Sequence, residues 1–263
     1  TVSSFKVNTS KSEMMGISLS DQMQRELQEL NSLRWSHSSL RYLGVSVAAE
    51  PSLVYSANFP RLLASVKGEL RRWAALPLTW AGRISALKMT ILPRLLYHFY
   101  ALPIWLPDVF FRDLKTAFLK FIWGRLTPRI AYKTLCRAKE EGGWALPHIK
   151  AYYWAAQLRV LVDWSTRNPQ QHWVYMDRAV AGHTLWDLIW KPKQDRPANT
   201  YLSTPTSTTL RVWDTVGIRR GLTTYPSPHT PIHCNPEFTP GLDPSVFGGW
   251  YAGDCLRIGD MFR

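Results

Sequence analysis

Three stretches decide the fold: NFPRLLASVKGELRRWAAL (58–76), TWAGRISALKMTILPRL (79–95) and PDVFFRDLKTAFLKFIWG (107–124). In each, apolar side chains recur every three or four residues, the period that keeps one face of an α-helix in a core. In the first, Leu62, Leu63, Val66, Leu70 and Trp73 share one side, and Arg61, Lys67, Arg71 and Arg72 take the other. In the second, Thr79 is an N-cap and Ile84, Leu87, Ile91 and Leu95 form the apolar stripe. Arg83 and Lys88 sit at the margins of that stripe, where a groove-lining helix presents charge, and Pro93 is expected to end or kink the helix near Leu92. The third helix starts at Pro107 and stops before Gly124, with Phe110, Leu114, Phe118, Phe121 and Ile122 inward and Arg112, Lys115 and Lys120 outward.

Before these helices the pattern is mixed. Phe5–Asn8 and Glu13–Ile17 read as short strands and Asp21–Leu33 as a helix. Leu40–Val47 reads as a single strand, and a glycine inside it, Gly44, marks a bulge or a close approach to a ligand. After them come a loop holding Gly142, Gly143 and Pro147, a fourth helix over about 150–165, and shorter helical pieces at His172–Val180 and His183–Ile189. Pro192–Thr209 has the composition of a linker or long loop, and the six prolines within residues 225–244 predict an extended arm. The expected class is therefore mainly α, with a small α+β part at the N-terminus, a helical bundle, and an irregular Pro-rich mixed region after it.

The chain of 263 residues carries a net charge of +13, which favours a polyanionic partner, either nucleic acid or an anionic membrane surface. The excess is local. Residues 1–60 hold five basic and five acidic side chains, residues 61–160 seventeen and five, and residues 161–263 ten and nine, so the central block alone carries +12. A basic run is ordinarily a solvated helix face, but such faces usually carry compensating acids at i,i+4 spacing, and this block has few. Consecutive amphipathic helices with uncompensated cations point to a surface for a phosphate backbone.

Several other chemistries are disfavoured. Cys136, Cys234 and Cys255 are three and widely spaced, so a reducing compartment is expected over a disulfide framework. Thr1–Ser10 lacks the features of a signal peptide, and the absence of an initial Met is read as the mark of a fragment. The longest uncharged apolar run, Leu95–Pro107, is too short to span a bilayer. Phosphate-loop, dinucleotide-binding and nucleophile-elbow motifs are absent, as is any Asp-Asp pair; the adjacent Glu140 and Glu141 read as a solvated turn. His229, His233, Cys234 and Cys255 have only half the spacing of a zinc site, so no metal site is assigned. Trp73, Trp80, Trp123 and Trp154 read as core before they read as base-stacking platforms.

At FKVNTSKSE (5–13), RYLGVSV (41–47), WAGRISALKMTILPRLLY (80–97), FLKFIWGRLTPRI (118–130), EEGGWALPHIKAYYWAAQLR (140–159) and TPIHCNPEFTPG (230–241) the chain resembles the C-terminal half of the reverse transcriptase of LINE-type non-LTR retrotransposons. The resemblance implies a partition into 1–50, the end of a right-hand polymerase palm; 51–145, a helical, basic, thumb-like domain; and 146–263, a post-thumb region with a helix and the Pro-rich arm. Asn8 and Lys11 then correspond to the segment called motif D, where the lysine is an auxiliary to triphosphate chemistry, and Tyr42, Leu43 and Gly44 look like a primer grip. Arg61, Lys67, Arg71, Arg72, Arg83, Lys88, Arg94, Lys120, Arg129 and Lys133 are the implied nucleic-acid ligands.

The partners implied are an RNA template and a DNA primer, together with the palm and fingers of the parent polymerase. The family's catalytic aspartates precede the first matching motif, so this chain is expected to be inactive alone. Mg²⁺ belongs to the full-length polymerase, and the expected setting is intracellular, in the nucleus and in cytoplasmic ribonucleoprotein. A non-catalytic nucleic-acid-binding or scaffolding protein derived from such an element is the alternative. A basic protein lying on an anionic membrane is a weaker third reading.

Overall fold

A computed structural model of the chain describes residues 8–17, 19–30, 33–124, 126–165, 172–181, 185–190, 193–196 and 202–220, together with 198, 228, 230, 232, 249 and 257–262. The chain divides into two units, Thr1–His148 and Ile149–Arg263. Among the described residues both are mainly helical, and the strands make two small sheets within 13–48. The segments 1–50 and 51–145 therefore fall together in the first unit. Of the first strand expected, Phe5–Asn8, all but Asn8 lies outside the described residues, as do the zinc-like residues His229, His233, Cys234 and Cys255 and most of the arm at 225–244.

In the first unit, β1 (Glu13–Met14) pairs in parallel with β2 (Arg34–Trp35), on either side of the exposed helix α1 (Asp21–Leu30). The single strand expected over Leu40–Val47 is instead a hairpin. Its arms are β3 (Ser39–Tyr42) and β4 (Val45–Ala48), with Tyr42 opposite Val45. The two turn residues both have positive φ, 46° at Leu43 and 87° at Gly44, the signature of a tight two-residue hairpin turn. A side chain added at Gly44 would meet nothing within 4 Å, so the glycine serves the turn's backbone angle and not a close approach.

Helices α2 (Val54–Ala74), α3 (Trp80–Ala86), α4 (Leu92–Ala101) and α5 (Asp108–Trp123) form the bundle. The expected stripes are largely the core: Leu62, Val66 and Leu70; Ile84, Leu87, Ile91 and Leu95; and Phe110, Leu114, Phe118, Phe121 and Ile122 are all buried. Each such side chain contributes about 1.5–3 kcal/mol over its exposed state. Thr79 is the N-cap foreseen, its Oγ1 accepting from the Gly82 N–H at 3.1 Å.

Two boundaries differ from expectation. The first helix begins four residues earlier than Asn58, which places Asn58 inside it. Pro93 does not stop the second: a π-turn over Leu87–Ile91 adds a residue just before the proline, and the chain continues as α4. A proline has no N–H to return to the preceding turn, and a π-turn widens the helix where that bond is missing.

In the second unit the helix expected over 150–165 is broken at Arg159 into α7 (Ile149–Leu158) and α8 (Val160–Ser165). After the short α6 (Tyr132–Leu135) of the first unit, these are followed by α9 (His172–Ala181), α10 (Leu185–Leu188) and α11 (Thr204–Arg220). Leu161, Trp164, Val174, Leu185, Leu188, Ile189 and Leu210 make its core. The linker expected through Thr209 thus ends at Ser203. That residue caps α11 by accepting from the Thr206 N–H, while Asp177 accepts from both the Ser203 and Thr206 hydroxyls. A Ser/Thr-rich run that looks like loop in composition is here a capped helix start. Among the described residues no helix is long and apolar enough to cross a membrane.

Candidate nucleic-acid interface

The site is built on α2 and α5. Phe59 packs edge-on against Phe110 near the start of both helices, at 5.4 Å between ring centroids, and Trp73 lies 6.3 Å from Phe121 near their ends. The two helices therefore run side by side in the same direction. Each turns one stripe at i, i+3, i+4 and i+7 toward a shared groove: Lys67, Leu70, Arg71 and Ala74 from α2; Asp113, Thr116, Ala117 and Lys120 from α5. The groove encloses about 640 Å³, and Arg83, Phe121 and Gly124 complete its wall. Lys67, Arg71, Arg83 and Lys120 bring four positive charges to it against the single carboxylate of Asp113.

Such crowding of like charge needs an electrostatic reason. Two parallel helices end together here, and each C-terminus carries the equivalent of about half a negative charge on its unsatisfied carbonyls. Arg71, Arg72 and Lys120 occupy the last turns of α2 and α5, where that field favours cations. The field lets the basic cluster form with Asp113 as the one carboxylate among four cations.

The ten expected ligands separate into two groups. Arg61, Arg71, Arg72, Lys120, Arg129 and Lys133 are exposed, and Lys88 is half-buried on the π-turn. The other three are engaged within the fold. Lys67 Nζ donates to Asp113 Oδ2 at 3.1 Å. Arg94 bridges Glu69 at 2.5 Å and Ser65 Oγ at 2.9 Å. Arg83 is a structural cation: its Nη1 donates to the Phe121 carbonyl at 2.6 Å, and its guanidinium lies 5.5 Å from the centre of the Phe121 ring. It caps the last turn of α5, and Gly124, with φ of 61°, follows directly; a side chain there would come within 3.4 Å of Arg83 Nη1. Two of the ten, Lys67 and Arg94, thus find a compensating acid on another helix.

The primer-grip-like residues form the hairpin tip. Tyr42 is 61% and Leu43 74% exposed, unusual for large apolar side chains, and the Tyr97 hydroxyl of α4 donates to the Leu43 carbonyl. The tip is therefore tied to the bundle through a residue 54 positions away. Asn8 and Lys11 lie in an exposed turn, in which the Asn8 side chain accepts from Ser10 N at 3.2 Å and Lys11 N donates to the Asn8 carbonyl at 3.1 Å.

Asn58, which the periodicity of its helix does not single out, is the link between hairpin and bundle. Buried in α2, its side-chain amide accepts from Ser46 N at 2.8 Å and donates to Ser46 O at 2.8 Å and Val54 O at 2.9 Å. It takes the place of a neighbouring strand for one residue of β4.

Trp73, Trp80, Trp123 and Trp154 are packing residues of intermediate burial. Trp80 stacks on Trp123 at 6.1 Å and meets Trp144 at 4.1 Å, and Lys150 Nζ sits 5.3 Å from the Trp154 ring centre. The fully buried tryptophan of the chain's described residues is Trp164.

Cys136 is a half-buried free thiol. Burial raises its thiol pKa above the ordinary value, against the lowering influence of the Tyr132 hydrogen bond and of Lys115; burial, and then Cys136, raise the Tyr132 hydroxyl as well. Lys115 Nζ lies 4.8 Å from the Tyr132 ring centre. Because both groups hold their protons more tightly folded than unfolded, their contribution to stability is complete below the ordinary thiol pKa of about 8.5 and is lost as pH rises above it. Alkylation of Cys136 by iodoacetamide, followed by peptide mass spectrometry, is expected to be slow at neutral pH and to accelerate only on the alkaline side of that value. A rate equal to that of a free thiol at neutral pH contradicts this.

Among the described residues no three or more His, Cys, Asp or Glu side chains come together as a metal site, and Glu140 and Glu141 are exposed on a single turn over Lys139–Glu141. They do not make the carboxylate cluster that Mg²⁺ in a polymerase needs. The sequence matches no known protein-family model.

Proposed function

We propose that the first unit binds the sugar-phosphate backbone of a nucleic-acid duplex along the α2/α5 groove, and that the chain acts as the palm-end, thumb and post-thumb part of a LINE-type reverse transcriptase on a template-primer RNA/DNA hybrid. One observation carries the reading: Arg71 and Lys120 stand exposed at the adjoining ends of two parallel helices, on a groove with one carboxylate among four cations. Small side chains, Ala74, Ala117 and Thr116, leave the groove open to a backbone strand, and its Lys and Arg side chains suit phosphate contacts. The hairpin tip at Tyr42–Gly44, anchored by Tyr97 and Asn58, supports the same reading by offering exposed side chains on a fixed support. No polymerisation step is assigned to this chain, whose described carboxylates do not fit a Mg²⁺ site; binding is its proposed activity.

Fluorescence anisotropy with a labelled blunt RNA/DNA hybrid tests the proposal. Reversing both exposed groove charges, Arg71→Glu with Lys120→Glu, is expected to weaken binding at least about thirtyfold near physiological salt, since a slope of about −0.9 per phosphate contact makes each contact worth roughly fivefold there. Unchanged affinity in a folded double variant removes the groove from the interface.

A further inference from the structure

Asp113 has no place in a surface whose task is to hold phosphate, yet it is the carboxylate of the groove and lies among its cations. We propose that it is a built-in competitor: Asp113 holds Lys67 in reserve, and an incoming phosphodiester takes the lysine over, so that Asp113 sets both the affinity of the interface and its salt dependence. The proposal rests on the nucleic-acid reading above and deepens it.

The geometry favours such an exchange. Lys67 and Asp113 face each other across the two helices at 3.1 Å, and their side chains are 35% and 39% exposed, so both retain much of their hydration while paired. An ion pair that open to water is weak and readily replaced. Arg94 is held more firmly, with two partners on α2 at Ser65 and Glu69, and it does not line the groove. Arg83 is fixed by the Phe121 carbonyl. Of the groove's four cations, Lys67 is therefore the one whose partner is a competing anion. Arg71 lies one turn further along α2 on the same stripe, so a backbone strand seated between Arg71 and Lys120 brings a phosphate within reach of a released Lys67.

The prediction is a gain of function. Asp113→Asn keeps the side chain's shape and removes its charge, and is expected to tighten hybrid binding about threefold, the size of one exposed ion pair. It is expected to steepen the slope of log K against log[salt] by up to about 0.9, one further phosphate contact. Lys67→Ala provides the decisive background: in it, Asp113→Asn is expected to give no gain. Asp113→Ser repeats the measurement with a different neutral side chain, and thermal unfolding confirms that each variant is folded.

No gain in either neutral variant overturns the proposal. So does an equal gain in the Lys67→Ala background, which assigns the effect to general charge and not to competition for that lysine. The underlying reading fails separately: if Arg71→Ala with Lys120→Ala leaves hybrid affinity unchanged, the groove does not bind backbone at all, and the exchange falls with it.

Discussion

Asn58→Ala is expected to lower the unfolding free energy of the first unit by about 3 kcal/mol. The substitution removes three hydrogen bonds at once, and it leaves the Ser46 N–H and C=O without the partners that bind them at 2.8 Å each. A part-buried backbone group deprived of its partner costs about 1–3 kcal/mol, so two such groups account for the estimate. For a unit of this size that is a fall in Tm of about 6–12 °C. Asn58→Asp is no rescue. Its carboxylate still accepts from Ser46 N–H but presents oxygen to the Ser46 and Val54 carbonyls, where the native amide donates. Urea unfolding followed by tryptophan fluorescence reads both variants. A loss below about 1 kcal/mol for either shows that β4 does not depend on this amide.

Arg83→Ala is expected to cost about 2–3 kcal/mol of stability while changing hybrid affinity only a fewfold. The loss combines a hydrogen bond from a charged donor, worth about 1.5–3 kcal/mol, with the favourable placement of a cation at the end of α5. Arg83→Lys keeps the charge but not the planar contact over Phe121, and is expected to recover part of the loss. Sequence alone places Arg83 among the nucleic-acid ligands because it lies at the margin of an apolar stripe. The margin is where it belongs, but the partner there is the carbonyl end of a neighbouring helix. Affinity falling in parallel with Arg71→Glu, with stability unchanged, contradicts this assignment and returns Arg83 to the interface.

These two residues mark the division between what the sequence makes legible and what it does not. Periodicity recovers the helical stripes nearly residue by residue, because a buried face leaves its spacing in the chain: Ile84, Leu87, Ile91 and Leu95 are all at most 2% exposed. Local caps are legible for the same reason, as Thr79 illustrates. Pairings between distant residues leave no such trace. Lys67 meets Asp113 and Arg94 meets Glu69 across 46 and 25 positions, so a search for acids at helical spacing finds the basic block less compensated than it is.

Local chemistry misleads where an unusual residue fills a usual role. Leu43 occupies a turn position that normally takes Asn or Gly, which hides the hairpin within an apolar run. Pro93 is a strong stop signal, yet the π-turn before it accommodates the missing N–H. The threonines at the start of α11 look like loop until Ser203 and Asp177 are seen to cap them.

The candidate site follows the same division. The concentration of +12 within residues 61–160 is visible as a count, but only the parallel course of α2 and α5 shows which of those charges meet. Arg71 and Lys120 are 49 positions apart and share a groove; Arg83 and Arg94 lie between them in sequence and are held by the fold.

The central claim, that this groove binds a phosphate backbone, is tested most directly by the salt dependence of RNA/DNA hybrid affinity in the wild-type chain and in Arg71→Ala with Lys120→Ala. Counterion release predicts a wild-type slope of log K against log[salt] at least as steep as about −1.8 for the two exposed groove cations alone, and a slope shallower by about 1.8 in the double variant. A slope that is the same in the two proteins, with both folded, contradicts the account.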